Sequence, residues 1–171
     1  VFASKAAREP GLVVLGSIAT ARTLQVAGLR ERGIGAPRDL RGKRIGIPGR
    51  FGTNWVMLQA LLKEASLTVD DVTIVEFPDF SQAAALQQGQ VDAATGFANN
   101  EPIQLELSGT PASVLRVDDV VPLPGQGLIA GVDMLEENPD AIQAFITATL
   151  RAMEEIAADP EVGLEAAITE V

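Results

Sequence analysis

No cysteine and no histidine occurs anywhere in this 171-residue chain. Disulfides, thiol nucleophiles, Cys/His zinc sites and histidine general bases are therefore excluded within it. A cysteine-free sequence fits either redox compartment. Aromatic side chains make up only 4%, so each one in a loop stands out. Basic residues are outnumbered, 13 Lys and Arg against 23 Asp and Glu, giving a formal net charge of −10. That balance speaks against nucleic acid, whose phosphates require a basic footprint. Most of the acid reads as solvated surface. No apolar run approaches the roughly 18–20 residues of a membrane span. No signal peptide is visible, and the opening VFASKAAREPG reads as the tail of a helix rather than a natural start, so a piece of a longer protein is the expectation.

What is there suits a folded α/β chain. Hydrophobic residues reach 47% and charged residues 21%. A chain this long buries roughly 70% of its unfolded surface, enough for a real core. The stretch 39–100 organises the rest. Lys43 to Pro48 is a β-branched run, followed by a glycine turn at Gly49 and Gly52. A helix with Trp55, Leu58, Leu61, Leu62 and Ala65 at helical spacing comes next. Val72 to Phe77 is a second strand, Asp79 with Gln82 resembles a capping box opening a short helix to Gly89, and Val91 to Phe97 is a third strand. This alternation predicts a parallel sheet covered by helices. Such sheets bind ligands at the carboxyl ends of their strands.

Around this block, Leu12–Ile18, Thr23–Leu29, Ala112–Val117 and Leu128–Val132 read as strands. Asn138-Pro139 and Asp159-Pro160 start two helices. The first places Ile142, Phe145, Ile146, Thr149, Met153 and Ile156 on one face, which reads as core. The organisation is a continuous α/β lobe, 38–119, set between two pieces, 1–33 and 125–171, of a discontinuous lobe. Crossings at 34–37 and 120–124 join them, and a two-crossing hinge implies a cleft that closes on a ligand.

Three strand-end loops carry the candidate site. Arg50, Phe51, Gly52 and Thr53 precede the first helix, with Thr53 or Asn54 as its N-cap. The phosphate-loop ending Gly-Lys-Ser/Thr is missing, as is the dinucleotide spacing, so what remains is a helix N-terminus able to hold an anion or a carbonyl. The plain alternative is an ordinary glycine turn. Phe80 and Ser81 follow the second strand, and both Phe51 and Phe80 could stack on a flat ring or simply pack. Asn99, Asn100 and Glu101 follow the third; amides beside a carboxylate suit a heterocycle with ring N–H or amino groups and repel an oxyanion. Their plain alternative is helix capping. Ser17 ends a strand of the discontinuous lobe and could face the cleft, as could Gln126 more weakly. Arg50 could pair with an anion or lie solvated. The acidic pairs Asp70/Asp71 and Asp118/Asp119 read as caps and surface. No catalytic residue, metal ligand or cofactor is assigned.

DLRGKRIGIPG, ASLTVDDVTIVEF and AAALQQGQVDAATGF resemble the second lobe of type II periplasmic solute-binding proteins of ABC transporters. The group is that of nitrate, sulfonate and taurine binders and of thiamine-pyrimidine-precursor and riboflavin binders. Ser66-Leu67 stands where the family usually has Gly-Leu. The resemblance implies a type II periplasmic-binding-protein fold, two α/β lobes on a two-crossing hinge, with the first lobe incomplete by about a hundred residues, a domain's worth. A lone first-lobe fragment leaves apolar surface bare, so a dimer or swapped assembly of the truncated chain is one expectation. The resemblance also implies capture of a small solute outside the cytoplasm, delivery to an ABC permease in the membrane, a lipid anchor on a missing N-terminus as one option, and no enzymatic chemistry. Asn99, Asn100 and Glu101 sit where the heterocycle binders look similar, which implies riboflavin or a pyrimidine precursor of thiamine; nitrate, sulfonate or taurine is the alternative.

Two other classes share the fold. The fungal pyrimidine synthase relies on an active-site histidine and cysteines, which this chain lacks. A LysR-type effector-sensing domain would carry a DNA-binding helix pair upstream.

Overall fold

The computed structural model describes residues 12–17, 24–121 and 127–170, which fall into two units. The first is 24–121; the second joins 12–17 to 127–170. The strands are β1 (Leu12–Ser17), β2 (Leu24–Leu29), β3 (Arg44–Ile47), β4 (Thr73–Glu76), β5 (Ala93–Phe97), β6 (Ala112–Arg116) and β7 (Gly127–Gly131). The helices are α1 (Gly52–Glu64), α2 (Gln82–Gln87), α3 (Glu101–Leu107), α4 (Val132–Glu137), α5 (Pro139–Ala158) and α6 (Pro160–Glu170). The helix read over residues 1–9, and Gln126, lie outside the described residues.

The first unit is a five-stranded sheet in the order β4-β3-β5-β2-β6. Strands β4, β3 and β5 run parallel, whereas β2 is antiparallel to both β5 and β6. The parallel arrangement expected of the 39–100 block is present in β3, β4 and β5, and the sheet as a whole is mixed. The reason is β2, which was grouped with the discontinuous piece 1–33. It pairs from Leu24↔Phe97 to Gly28↔Ala93 on one side and with β6 on the other, so it belongs to the sheet of the first unit. Periodicity identified the strand but carries no information about its partner.

Successive side chains of the central strands point to opposite faces, both faces are buried, and each carries different helices. Val26 and Ala93 pack with Met57, Leu58, Leu61 and Leu62 of α1. Their neighbours Ala27 and Ala94 pack with Ala85 and Leu86 of α2 and Leu105 of α3. Chain order explains the split. From β3 the chain steps outward through α1 to β4, then back past β3 through α2 to β5. Right-handed crossovers in opposite directions require helices on opposite faces.

The second unit pairs β1 antiparallel to β7 and adds α4, α5 and α6. Helix α5 starts at Pro139, as its Asn-Pro signal predicts. Its stripe is not core, however. Ile142 is buried, but Phe145 is 60% exposed, and Met153 and Ile156 are exposed too. A two-stranded sheet offers too small an apolar face to cover a 20-residue helix.

Candidate functional site

The carboxyl ends of β3, β4 and β5 lie side by side at one edge of the sheet, because these three strands are parallel neighbours. The chain reverses its direction of travel across the sheet between β3 and β5, so a crevice at that edge is a topological switch point. The three predicted loops therefore share one edge within the first unit. Ser17 is not among them: it ends β1 in the other unit, opposite Gly127.

In the first loop Phe51 is extended and N-caps α1, two residues before Thr53 and three before Asn54, the expected caps. Gly52 has φ +65°, a left-handed turn that explains the glycine and starts the helix earlier. The Phe51 ring lies over Gly49, where a Cβ would come within 2.3 Å of it, and is 63% exposed. Thr53 is half-buried. Arg50 donates to Glu76 Oε1 at 3.1 Å and stands 5.5 Å from the Trp55 ring centroid, so its charge is engaged at the end of β4.

In the second loop Phe80 has φ +61°, an uncommon conformation for a bulky side chain, and its ring is 64% exposed. The expected capping box is absent. Asp79 instead accepts the Ser81 backbone N–H and hydroxyl, at 3.3 and 2.7 Å, and these bonds lower its pKa. Helix α2 begins at Gln82.

In the third loop Asn99 and Asn100 are exposed, and Asn100 accepts from Gln104 Nε2 at 2.7 Å. Glu101 turns inward. It is buried, its Oε2 accepts the Phe97 N–H at 2.7 Å, and its Oε1 accepts Gln82 Nε2 at 3.3 Å. Gly96 makes room for it: a Cβ there would lie 2.4 Å from the carboxylate. The carboxylate read from sequence as a ligand contact thus clamps its own turn and holds the two asparagines at the edge.

Two buried residues of this edge were read only as caps. Asn54 is 8% exposed and Gln82 fully buried, and Asn54 Oδ1 and Gln82 Oε1 have no hydrogen-bond partner. Their signal was in the spacing. Asn54 precedes Met57 and Leu58, and Gln82 precedes Ala85 and Leu86, by three and four positions, so each is a polar residue on a buried stripe.

A family model described as NMT1/THI5 like matches residues 1–162. The chain belongs to this family. This NMT1/THI5-like chain is 34% identical over 157 residues to the riboflavin-binding protein RibY of Chloroflexus aurantiacus, covering 91% of this chain and 44% of that protein. It is 28% identical to the 4-amino-5-hydroxymethyl-2-methylpyrimidine phosphate synthase of Aspergillus parasiticus, over 96% of this chain and 51% of the synthase. Among solved structures, the periplasmic aliphatic sulphonate binding protein SsuA from Escherichia coli matches with a TM-score of 0.77 at 21% identity, covering 92% of this chain and 53% of that one. That likeness is one of fold, and the fold is the mixed α/β arrangement of type II periplasmic binding proteins. The NMT1/THI5-like chain spans about half the length of the curated relatives it matches. No helix among its described residues is long and apolar enough to cross a membrane.

Proposed function

We infer that this chain is the ligand-gripping part of an extracytoplasmic solute-binding protein that delivers its solute to an ABC permease. The solute is a small planar nitrogen heterocycle, riboflavin or a pyrimidine precursor of thiamine. One observation carries this reading. Two exposed rings, Phe51 and Phe80, stand at the ends of adjacent parallel strands, beside the exposed amides Asn99 and Asn100 at the end of the third. Rings offer a stacking surface and amides offer paired donors and acceptors, which is what a flat heterocycle takes.

Charge favours a neutral ligand over nitrate or a sulfonate. The three loops carry one cation, Arg50, against Glu76, Asp79 and Glu101, and Arg50 is already paired with Glu76. The 34% identity to a riboflavin-binding protein supports the same choice. Binding without chemistry fits a sequence that offers neither histidine nor cysteine. A dimer or swapped assembly of the 171-residue chain would use the exposed stripe of α5, and sedimentation of wild type and Phe145→Lys tests it.

The test is a thermal-shift and calorimetric screen of the whole protein against riboflavin, thiamine pyrimidine precursors, nitrate, taurine and alkanesulfonates. A saturable response to a heterocycle, recovered unaltered by mass spectrometry, is expected. A response to nitrate or sulfonates alone overturns the ligand class, and a converted ligand overturns the binding-only role.

A further inference from the structure

We propose that Asn54 is the ligand-reading residue at the floor of this crevice, its side-chain amide pairing edge-on with a heterocycle that presents an N–H beside a ring or carbonyl acceptor. The proposal rests on the heterocycle reading above and goes beyond it by naming the residue and the edge it reads. The first support is position. Asn54 lies in the first turn of α1, on the stripe that continues through Met57, Leu58 and Leu61 onto the sheet. Helix α1 starts where β3 ends, so this stripe begins at the switch-point edge.

The second support is an unpaired atom. Asn54 Oδ1 is buried and has no hydrogen-bond partner. Buried carbonyl oxygens in folded proteins almost always accept a bond, and an orphan asks for an explanation. A core position flanked by methionine and leucine would be filled more stably by an apolar residue of the same size. An amide kept there despite that cost is suited to a partner that arrives later. The chemistry then follows from the amide itself. Oδ1 accepts one N–H, and Nδ2 beside it donates to one acceptor. The imide edge of an isoalloxazine and the amino edge of an aminopyrimidine both present that donor–acceptor pair, whereas nitrate, taurine and sulfonates offer no such edge.

Gln82 has the other unpaired oxygen, but its side chain is fully buried and its Nε2 is spent on Thr95 O and Glu101 Oε1, at 3.2 and 3.3 Å. It supports the Glu101 clamp from beneath and is not assigned to the ligand.

The experiment compares wild type with Asn54→Leu in the whole protein. The readouts are melting temperature without ligand and affinity for riboflavin and its N3-methyl analogue, followed by flavin fluorescence. The expected result has three parts. The variant melts about 2–5 °C higher without ligand, because the orphan acceptor is gone. It binds riboflavin at least about tenfold more weakly, as expected when one buried hydrogen-bonded pair is lost. Wild type prefers riboflavin over the N3-methyl analogue, and the variant does not. A variant that binds riboflavin as wild type does, or one that melts lower without ligand, overturns the assignment to Asn54. Wild type that binds no planar heterocycle overturns the underlying functional reading itself, a separate and recognisable failure.

Discussion

Arg44 and Asp92 meet as a fork at the amino edge of the sheet: Nε reaches Oδ2 at 3.1 Å and Nη2 reaches Oδ1 at 2.9 Å. The Arg44 backbone N–H adds a third bond to Oδ2 at 2.9 Å, and Arg32 approaches Oδ1 at 3.4 Å. Arg44 opens β3, and Asp92 immediately precedes β5. The fork therefore fixes the two strands whose opposite ends frame the crevice. It also accounts for the most recognisable stretches of the sequence. Arg44 belongs to DLRGKRIG and Asp92 to GQVDA, and these segments close the edge away from the three candidate loops. Asp39 and Asp71 work at the same end: Asp39 accepts the Gly35 and Ala36 N–H groups, while Asp71 accepts the Thr68 N–H and pairs with Arg41. The segments that reveal the family are scaffold.

A pH dependence follows. The Arg44 bonds hold the Asp92 carboxyl at about 2, below its ordinary 3.8. A carboxylate with a lowered folded pKa adds stability that is fully present above its unfolded value and is lost as pH falls through the folded one. The contribution should hold from neutral pH to about 5 and fade between about 4 and 2. Asp92→Asn should lower stability at neutral pH by about 1–2 kcal/mol, discounted for the partly exposed Arg44, and the gap from wild type should close in acid. Urea melts at a series of pH values measure it. Solute affinity near neutral pH should not change, since Asp92 lies at the other edge.

Gly96→Ala should be costly for a reason confined to the crevice edge. The new methyl would meet the Glu101 carboxylate at 2.4 Å, and that carboxylate is anchored by Phe97 N–H and Gln82. Overpacking of this kind costs about 1–3 kcal/mol. Glu101→Ala in the same chain removes the obstacle, so the double variant should lose less than the two single losses added together. Chemical denaturation of all four proteins gives the cycle, and strict additivity would show that the two residues do not interfere.

Glu101 itself separates clamping from contact. Glu101→Ala leaves the Phe97 N–H without its acceptor, at a cost of about 1–3 kcal/mol, and should weaken solute binding by loosening the turn that carries Asn99 and Asn100. Glu101→Gln keeps one acceptor oxygen, so both losses should be smaller. If Glu101→Gln instead abolishes binding while its melting curve stays wild-type, the carboxylate touches the solute and the clamp is secondary.

Legibility in the sequence followed the range of the interactions involved. Strands, helices and their stops depend on near neighbours, and β3, α1, β4, α2 and β5 lie where spacing and glycine punctuation put them. The placement of the three candidate loops at one edge was equally readable, because strand–helix alternation sets neighbouring strands parallel. Partner choice was not readable: nothing within Leu24–Leu29 says that it will pair with β5 and β6. Side-chain direction was not readable either. Asn99, Asn100 and Glu101 are consecutive polar residues in one turn, yet two are exposed and the third is buried, its carboxylate filling the space left by Gly96. The α5 stripe misled for a different reason. Amphipathic spacing reports a face suited to burial, and burial needs a partner surface that this stretch does not supply.

Phe80 offers a test in which strain and ring can be separated. Its backbone sits at φ +61°, where a residue with a Cβ is disfavoured, while its ring is mostly exposed and gains little from packing. Strain of this sort persists where the surroundings impose it, and it gathers at ligand-binding positions. The turn imposing it is visible: the Phe80 N–H bonds to Phe77 O at 2.9 Å, and Asp79 holds Ser81 immediately after. Phe80→Gly relieves the strain and deletes the ring; Phe80→Ala deletes the ring and keeps the strain. If the ring stacks on the solute, both variants should weaken heterocycle binding by a similar factor, about five- to thirtyfold, corresponding to roughly 1–2 kcal/mol. Only the glycine variant should hold or raise the melting temperature, by up to about 1 kcal/mol equivalent. Calorimetric melts and titrations of the pair decide the matter. Equal stability with undiminished affinity in both would leave Phe80 as an ordinary surface residue and move the stacking role to Phe51 alone.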